Sequence, residues 1–207
     1  MKVLILGATG RTGALVLASA VEAGHEVTAL VRDRRKLAPI SGLEILEGDA
    51  TVKADVKRAV SGQTAVLNAI GSRDIRHPVE RESTAALIPA AIEAGANRLI
   101  VCSAFGVGET AKQASGFSRV FFSTVLGAVY ADKKAADAMV QASALDWTLV
   151  YPTRLTDDPP VGDFQQVEHL EREGTPKISR TDVAQFMVEQ LVDPTWSRRI
   201  AIVSNHV

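Results

Sequence analysis

A chain of 207 residues, 46% hydrophobic and 23% charged, is long enough for one domain with a substantial core and too short for two full ones. A net charge of −1 does not suggest a nucleic-acid binder, which would need a clustered basic face, and the short basic run Arg32, Arg34, Arg35 and Lys36 reads as a solvated loop or a phosphate clamp; no apolar run is long enough to span a bilayer. The single Cys102 excludes an internal disulfide framework. With Met1-Lys2-Val3 leading straight into an apolar run and no signal-peptide layout, a cytoplasmic location is expected.

Val3 to Leu6 is fully apolar and ends at Gly7, which predicts a buried parallel strand. Helical periodicity follows from about Thr12 to Ala23, with Gly24 as the stop. The spacing predicts strands at 27–31 and 43–46, a short amphipathic helix over 53–60 and a strand at 65–69. Pro78 is placed to open a helix that runs to about Ala94, since proline is tolerated in a first turn. A strand is predicted at 97–102. From Ser103 to about Leu126 the pattern breaks down into a glycine-containing stretch, read as a loop with a helical part. A long helix over about 128–144 and a strand at 147–150 come next, then a polar, irregular stretch over 154–175 with Pro159-Pro160. Ile178 to Asp182 reads as a strand turning into a helix that ends near Val192, with Thr181 or Ser179 as its cap. A last strand is predicted at 200–203. Strands alternating with helices imply right-handed crossovers and a mostly parallel sheet. The expected fold is α/β, a Rossmann-type doubly wound sheet in a single domain over 1–207, with site loops at about 104–127 and 154–175.

Gly7-x-x-Gly10-x-x-Gly13 lies directly between a predicted strand and a predicted helix. In that context the glycines permit a tight turn, a close approach of backbone to a pyrophosphate, and close helix–strand packing. The helix N-terminus then offers N–H groups and a positive dipole end, so Gly7, Thr9, Gly10, Arg11, Thr12 and Gly13 are candidate cofactor ligands. The second strand ends Val31-Arg32-Asp33. An acid there would take a ribose 2′-hydroxyl, as in NAD binders; an arginine favours the 2′-phosphate of NADP. Arg32, with Arg11 as a second cation, tilts the expectation to NADP(H) over NAD(H).

The Gly-x-x-Gly-x-x-Gly spacing resembles the extended and atypical short-chain dehydrogenase/reductases. So do Val27 to Asp33, Gly48-Asp49, Ser103-Ala104, Leu145 to Pro152, and Ile178-Ser179-Arg180-x-Asp182-Val183-Ala184. Within that group the chain is most similar to the NmrA-like branch, which includes the biliverdin-IXβ reductases, also called flavin reductases. The resemblance implies that Asp49 and Ala50 sit beside the adenine and that Ala69, Ile70 and Gly71 line the middle of the cofactor. It also implies that Ser103 and Ala104 face the nicotinamide, and that Pro152 and Thr153 meet its carboxamide through backbone groups.

Short-chain dehydrogenases carry Tyr-x-x-x-Lys on one helix face, and Tyr130 and Lys134 have that spacing. Counting back from Leu145-Asp146-Trp147 instead puts the family lysine at Lys133, with Val129 at the tyrosine position. One residue is about 100° around a helix, so the two registers point to different faces. Lys133 is then a contact for the cofactor ribose. Without a sure proton donor the pattern suits a flavin, which needs positioning rather than an acid, with Ser103 as a hydrogen-bonding group. The four histidines have no metal-ligand spacing. Four of the six phenylalanines lie between residues 105 and 122; Phe105, Phe121 and Phe122 are candidate substrate contacts, with core or interface roles equally open. The first expectation is an NADPH-dependent reductase delivering hydride to a flavin or related planar conjugated small molecule. A cofactor-binding sensor without catalysis is the second. An epimerase, dehydratase or ketone reductase using Tyr130 and Lys134 is the third. A monomer and a homodimer both fit.

Overall fold

In the first strand, β1 (Lys2–Leu6), Val3 and Ile5 face one side and Leu4 and Leu6 the other, and all four are fully buried. Side chains alternate across a strand, so one buried on both faces must lie inside a sheet covered by helices on both sides. The computed structural model, which describes residues 1–72, 74–113, 127–170 and 176–206, has that architecture.

The strands after β1 are β2 (Glu26–Val31), β3 (Leu43–Glu47), β4 (Ala65–Asn68), β5 (Arg98–Cys102), β6 (Asp146–Pro152), β7 (Arg154–Thr156), β8 (Phe164–Val167), β9 (Lys177–Ser179) and β10 (Arg199–Asn205). An eight-stranded sheet runs in the order β3-β2-β1-β4-β5-β6-β10-β8. Its pairs are parallel except the last, where β8 lies antiparallel on β10. β7 and β9 form a separate parallel pair. The register sets Ile5 between Ala29 and Leu67. This is the Rossmann fold, and its direction reverses between β1 and β4, the place where such sheets bind ligands.

The helices are α1 (Arg11–Glu22), α2 (Lys53–Val60), α3 (Glu80–Ala94), α4 (Gly127–Ala142) and α5 (Arg180–Glu189). Val16, Leu17 and Ala20 of α1 and Val183, Phe186 and Met187 of α5 pack on the Val3/Ile5 face. Val56 and Val60 of α2, Leu87 and Ala91 of α3 and Val140 of α4 pack on the Leu4/Leu6 face. No helix among the described residues is long and apolar enough to cross a membrane.

Two local readings need correction. α3 begins at Glu80 rather than Pro78, because Val79 sits at φ −125°, ψ 0°, outside the helical region. The stretch read as irregular over 154–175 contains β7 and β8, strands of three and four residues with too few apolar positions to show a period. Ser179 is the cap of α5: its hydroxyl accepts from the Asp182 N–H at 3.0 Å. The fully buried Asp182 carboxylate in turn accepts from the N–H groups of Val161 and Gly162 at 3.1 and 3.0 Å, which holds the polar stretch onto the fold.

Candidate cofactor and substrate site

β1 ends at Gly7, whose φ of +82° favours glycine. A Cβ there would lie 2.6 Å from the Ala69 carbonyl carbon at the end of β4, and one on Gly13 would overlap the Gly7 carbonyl oxygen. The Gly10 N–H closes the turn on that same oxygen at 2.9 Å. Gly10 stands at the cap position of α1 with no side-chain cap, and the first turn carries no acidic residue. The N-terminal N–H groups and dipole of a three-turn helix are therefore presented to an anion. Backbone so close that no side chain fits, beside a helix end without a side-chain cap, is what a dinucleotide pyrophosphate requires.

A cleft of about 420 Å³ runs from this loop along the ends of β1 to β4. Gly7, Thr9, Gly10, Arg32, Asp49, Ala50, Ala69, Ile70 and Gly71 line it; Arg11, Thr12 and Gly13 do not. At the end of β2 the two opposed residues part company. Asp33 caps the short turn Arg34–Lys36 and takes the Arg35 guanidinium at 2.9 Å. The side-chain and backbone hydrogen bonds from Arg35 lower its pKa. Arg32 is exposed, lines the cleft, and makes no hydrogen bond or ion pair among the described residues. Arg11 instead pairs with Asp157, which also takes Arg180 at 2.8 Å. Asp49 closes a turn, accepting from the Thr51 N–H at 2.9 Å and hydroxyl at 2.8 Å, while it lines the cleft. Those bonds, the backbone one foremost, lower its pKa against the opposing effect of burial.

Ile70 also borders a second, much smaller pocket beneath the ends of β4 and β5, which Ser103, Lys133, Asp137 and Glu80 share. There the Ser103 hydroxyl donates to Asp137 Oδ2 at 2.6 Å and the Tyr151 hydroxyl donates to the same oxygen at 2.8 Å. Lys133 Nζ lies 3.3 Å from Glu80 Oε1. Lys133 thus faces the pocket and Lys134 is exposed. The Tyr130 hydroxyl points to the Phe105 carbonyl at 3.4 Å, and burial pushes its pKa up to about 12. Tyr130 and Lys134 share no hydrogen bond among the described residues.

Four expected contact residues have neighbours within the fold. The Pro152 carbonyl accepts from the Phe105 N–H at 3.0 Å, and the Thr153 N–H donates to the Val203 carbonyl at 3.1 Å. Ala104 accepts from the Val107 N–H at 3.2 Å. Phe105 is buried in the Leu4/Leu6 core layer and lines neither pocket. Phe117, Phe121 and Phe122 lie outside the described residues. Glu80, Asp137 and Tyr151 were not singled out by the sequence reading. The available signal was Lys133-x-x-x-Asp137, one helical turn apart on α4 and so on one face.

An anion-binding glycine loop at the switch point of a parallel sheet, with polar groups at the adjoining strand ends, defines a dinucleotide-binding α/β protein. Residues 7–194 match the family described as NAD(P)H-binding, and the chain belongs to it. It is 30% identical to an uncharacterized chloroplastic protein of Arabidopsis thaliana over 96% of this chain and 75% of that one. It is 28% identical to an uncharacterized sugar epimerase of Bacillus subtilis over 96% and 92%. Among solved structures the anaerobilin reductase ChuY of Escherichia coli O157:H7 superimposes with a TM-score of 0.85 at 23% identity, covering 98% of this chain and 96% of that one.

Proposed function

We propose that the chain is an NADP(H)-dependent reductase that passes hydride to a flavin or a related planar conjugated acceptor. The observation that carries this reading is that the two pockets share a wall: the cleft over β1 to β4 and the Ser103 pocket both border Ile70, so a dinucleotide laid along the first would bring its far end toward the second. Arg32, exposed in the cleft and unpaired among the described residues while Asp33 is tied to Arg35, suits a 2′-phosphate. Bound there, NADPH would supply the hydride. The glycine loop would hold its pyrophosphate, Asp49 and Ala50 would border its adenine, and Lys133 would reach its ribose. Ser103 would hydrogen-bond at the reacting end. The likeness to a protein named a reductase agrees with this reading. In it, residues 1–207 form one domain acting on a small molecule in the cytoplasm, as a monomer or homodimer.

The name of the Bacillus relative brings forward the epimerase reading, but the geometry favours it less. Its tyrosine is engaged with a backbone carbonyl and its lysine lies in solvent. Titration of the purified chain with NADPH and NADH, followed by added FMN, riboflavin or biliverdin, tests the proposal. NADPH preference and acceptor-dependent loss of nicotinamide absorbance are expected. Tight binding with no oxidation across these acceptors overturns it in favour of a sensor, and abolition of turnover by Tyr130→Phe would restore the tyrosine-based route.

A further inference from the structure

Glu80 and Asp137 are two buried carboxyl groups on the same small pocket, 6% and 4% exposed, and their surroundings are opposite. Glu80 has the Lys133 ammonium at 3.3 Å, the N–H groups of Ser72 and Val79 at 3.1 Å each, and the Ser72 hydroxyl. Burial alone would raise its pKa; Lys133 and the Ser72 hydrogen bonds outweigh it, and the net shift is downward. Asp137 has only two neutral hydroxyls, both on Oδ2. It has no backbone N–H and no cation within ion-pair distance among the described residues. The groups facing it are Lys133 from its own helix, Glu80 from α3, Cys102 at the end of β5 and Ser103 just after it, and Tyr151 from β6. Burial, then Asp137 itself, pushes the Tyr151 phenol upward, and burial pushes the Cys102 thiol up to about 11. Neither is a charge that could compensate a carboxylate at neutral pH. One ammonium between two buried carboxyls can offset one of them, and it stands on Glu80. Burial accordingly raises the Asp137 pKa. Where two carboxyls are driven apart in this way, the one kept neutral is the acid.

The protonation state of Asp137 also sets what Ser103 can do. With Asp137 ionised, the Ser103 hydroxyl donates to it and offers the pocket only lone pairs. With Asp137 protonated, that bond reverses and the Ser103 hydrogen turns to the pocket, while Oδ2 still accepts from Tyr151.

We propose that Asp137 is the proton store of the site: as hydride reaches the acceptor, Ser103 gives its hydroxyl proton to a nitrogen or oxygen of that acceptor and takes the proton of Asp137 in return. This rests on the reductase reading and narrows it to acceptors that need a proton delivered beside the hydride. The Ser103 O–H bond breaks as an acceptor N–H or O–H bond forms, and the Asp137 O–H bond breaks as the Ser103 O–H bond is remade. The electron pair arrives with the hydride, so the acceptor is reduced by two electrons and the dihydronicotinamide is oxidised. The Asp137 carboxylate then takes a proton from water. Asp137 acts through Ser103 and is a positioning residue.

Infrared spectra of the cofactor-free chain at about pH 6, well above the ordinary aspartate pKa, test it first. A protonated-carboxyl band is expected in the wild type and absent in Asp137→Asn. Acceptor-dependent NADPH oxidation is then followed against pH. The wild-type rate is present at low pH and falls as pH rises through the Asp137 pKa. Asp137→Asn loses about 10²-fold together with that limb of the profile, and Asp137→Glu restores part of both. No band at pH 6 overturns the proposal, and so does an Asp137→Asn variant that keeps the wild-type rate and pH limb. Should the wild type fail to oxidise NADPH with any of the acceptors, the reductase reading falls and the transfer with it, while the band still reports whether Asp137 holds a proton.

Discussion

The two ends of the site are built from different materials. At the β1–β4 end the surfaces that fit a cofactor are mostly backbone: glycine Cα atoms, the N-terminus of α1 and the strand ends beside an open cleft. At the β5–β6 end they are buried side chains, with Glu80, Lys133, Asp137, Ser103 and Tyr151 drawn from two helices and two strands. The first end is intolerant of added atoms, because its fit is set by backbone. The second is sensitive to charge, since a buried charge depends on its partner.

The largest effect expected from this contrast is at Gly13. A Cβ there overlaps the Gly7 carbonyl oxygen, so Gly13→Ala must displace the phosphate loop itself. A backbone shift of that kind costs about 3 kcal/mol, and nicotinamide-cofactor affinity should fall roughly 100-fold by fluorescence titration. Gly24→Ala is the control. Its φ of +78° is strained for alanine but nothing lies within 4 Å of the added carbon. The melting temperature should drop by the equivalent of about 1 kcal/mol, with binding unchanged. Equal losses of binding in both would mean that general destabilisation, not the loop, is being read.

The same contrast explains what the sequence disclosed. Gly7 to Gly13, the apolar strand runs and the residues at their ends are local features, and a window of a few residues suffices to read them. The pocket at the other end is assembled across long separations: Ser103 meets Asp137 34 residues away, and Glu80 meets Lys133 across α3 and α4. Composition and period carry no trace of such pairings. Arg32 and Asp33 were legible as opposed choices, but the turn Arg34–Lys36 that diverts Asp33 is a three-residue element with no periodicity to announce it. In the Lys133/Lys134 ambiguity the neighbouring elements decide, because only packing against α3 and β5 shows which face of α4 is inward.

The next largest effect is expected at Lys133. Its side chain and that of Glu80 are 13% and 7% exposed, so Lys133→Met leaves a buried carboxylate without its cation and should cost about 2–3 kcal/mol of stability near neutral pH. The pH dependence has a definite sign. In the wild type the folded-state pKa of Glu80 lies below its ordinary 4.5, so its contribution is present above that value and lost as pH falls through the lowered one. In Lys133→Met burial prevails and raises the pKa, so the variant loses stability as pH rises. Thermal melts should therefore show the two proteins converging toward about pH 4 and separating toward about pH 7. A gap independent of pH would assign the loss to packing.

Arg32 carries a smaller effect, confined to one cofactor. It lines the cleft and makes no hydrogen bond or ion pair among the described residues, so Arg32→Ala should leave stability unaltered, weaken NADPH about 10-fold and leave NADH unchanged. Equal weakening of both cofactors would place Arg32 near the pyrophosphate instead of the 2′-phosphate.

Arg11 should matter least, although it stands within the glycine loop. Its side chain is 68% exposed and paired with Asp157, itself 58% exposed and shared with Arg180. An exposed pair of this kind contributes about 0–1 kcal/mol, and a phosphate must compete with Asp157 for the guanidinium, so Arg11→Ala should weaken NADPH by about 3-fold or less. Asp157→Asn separates competition from indifference. If Asp157 holds Arg11 away from the cofactor, its neutralisation releases the arginine and tightens NADPH by a similar small factor, and the gain disappears in the double variant with Arg11→Ala. If NADPH affinity is the same in all four proteins, Arg11 serves only to tie α1 to the segment after β7, and the specificity at this end rests on Arg32.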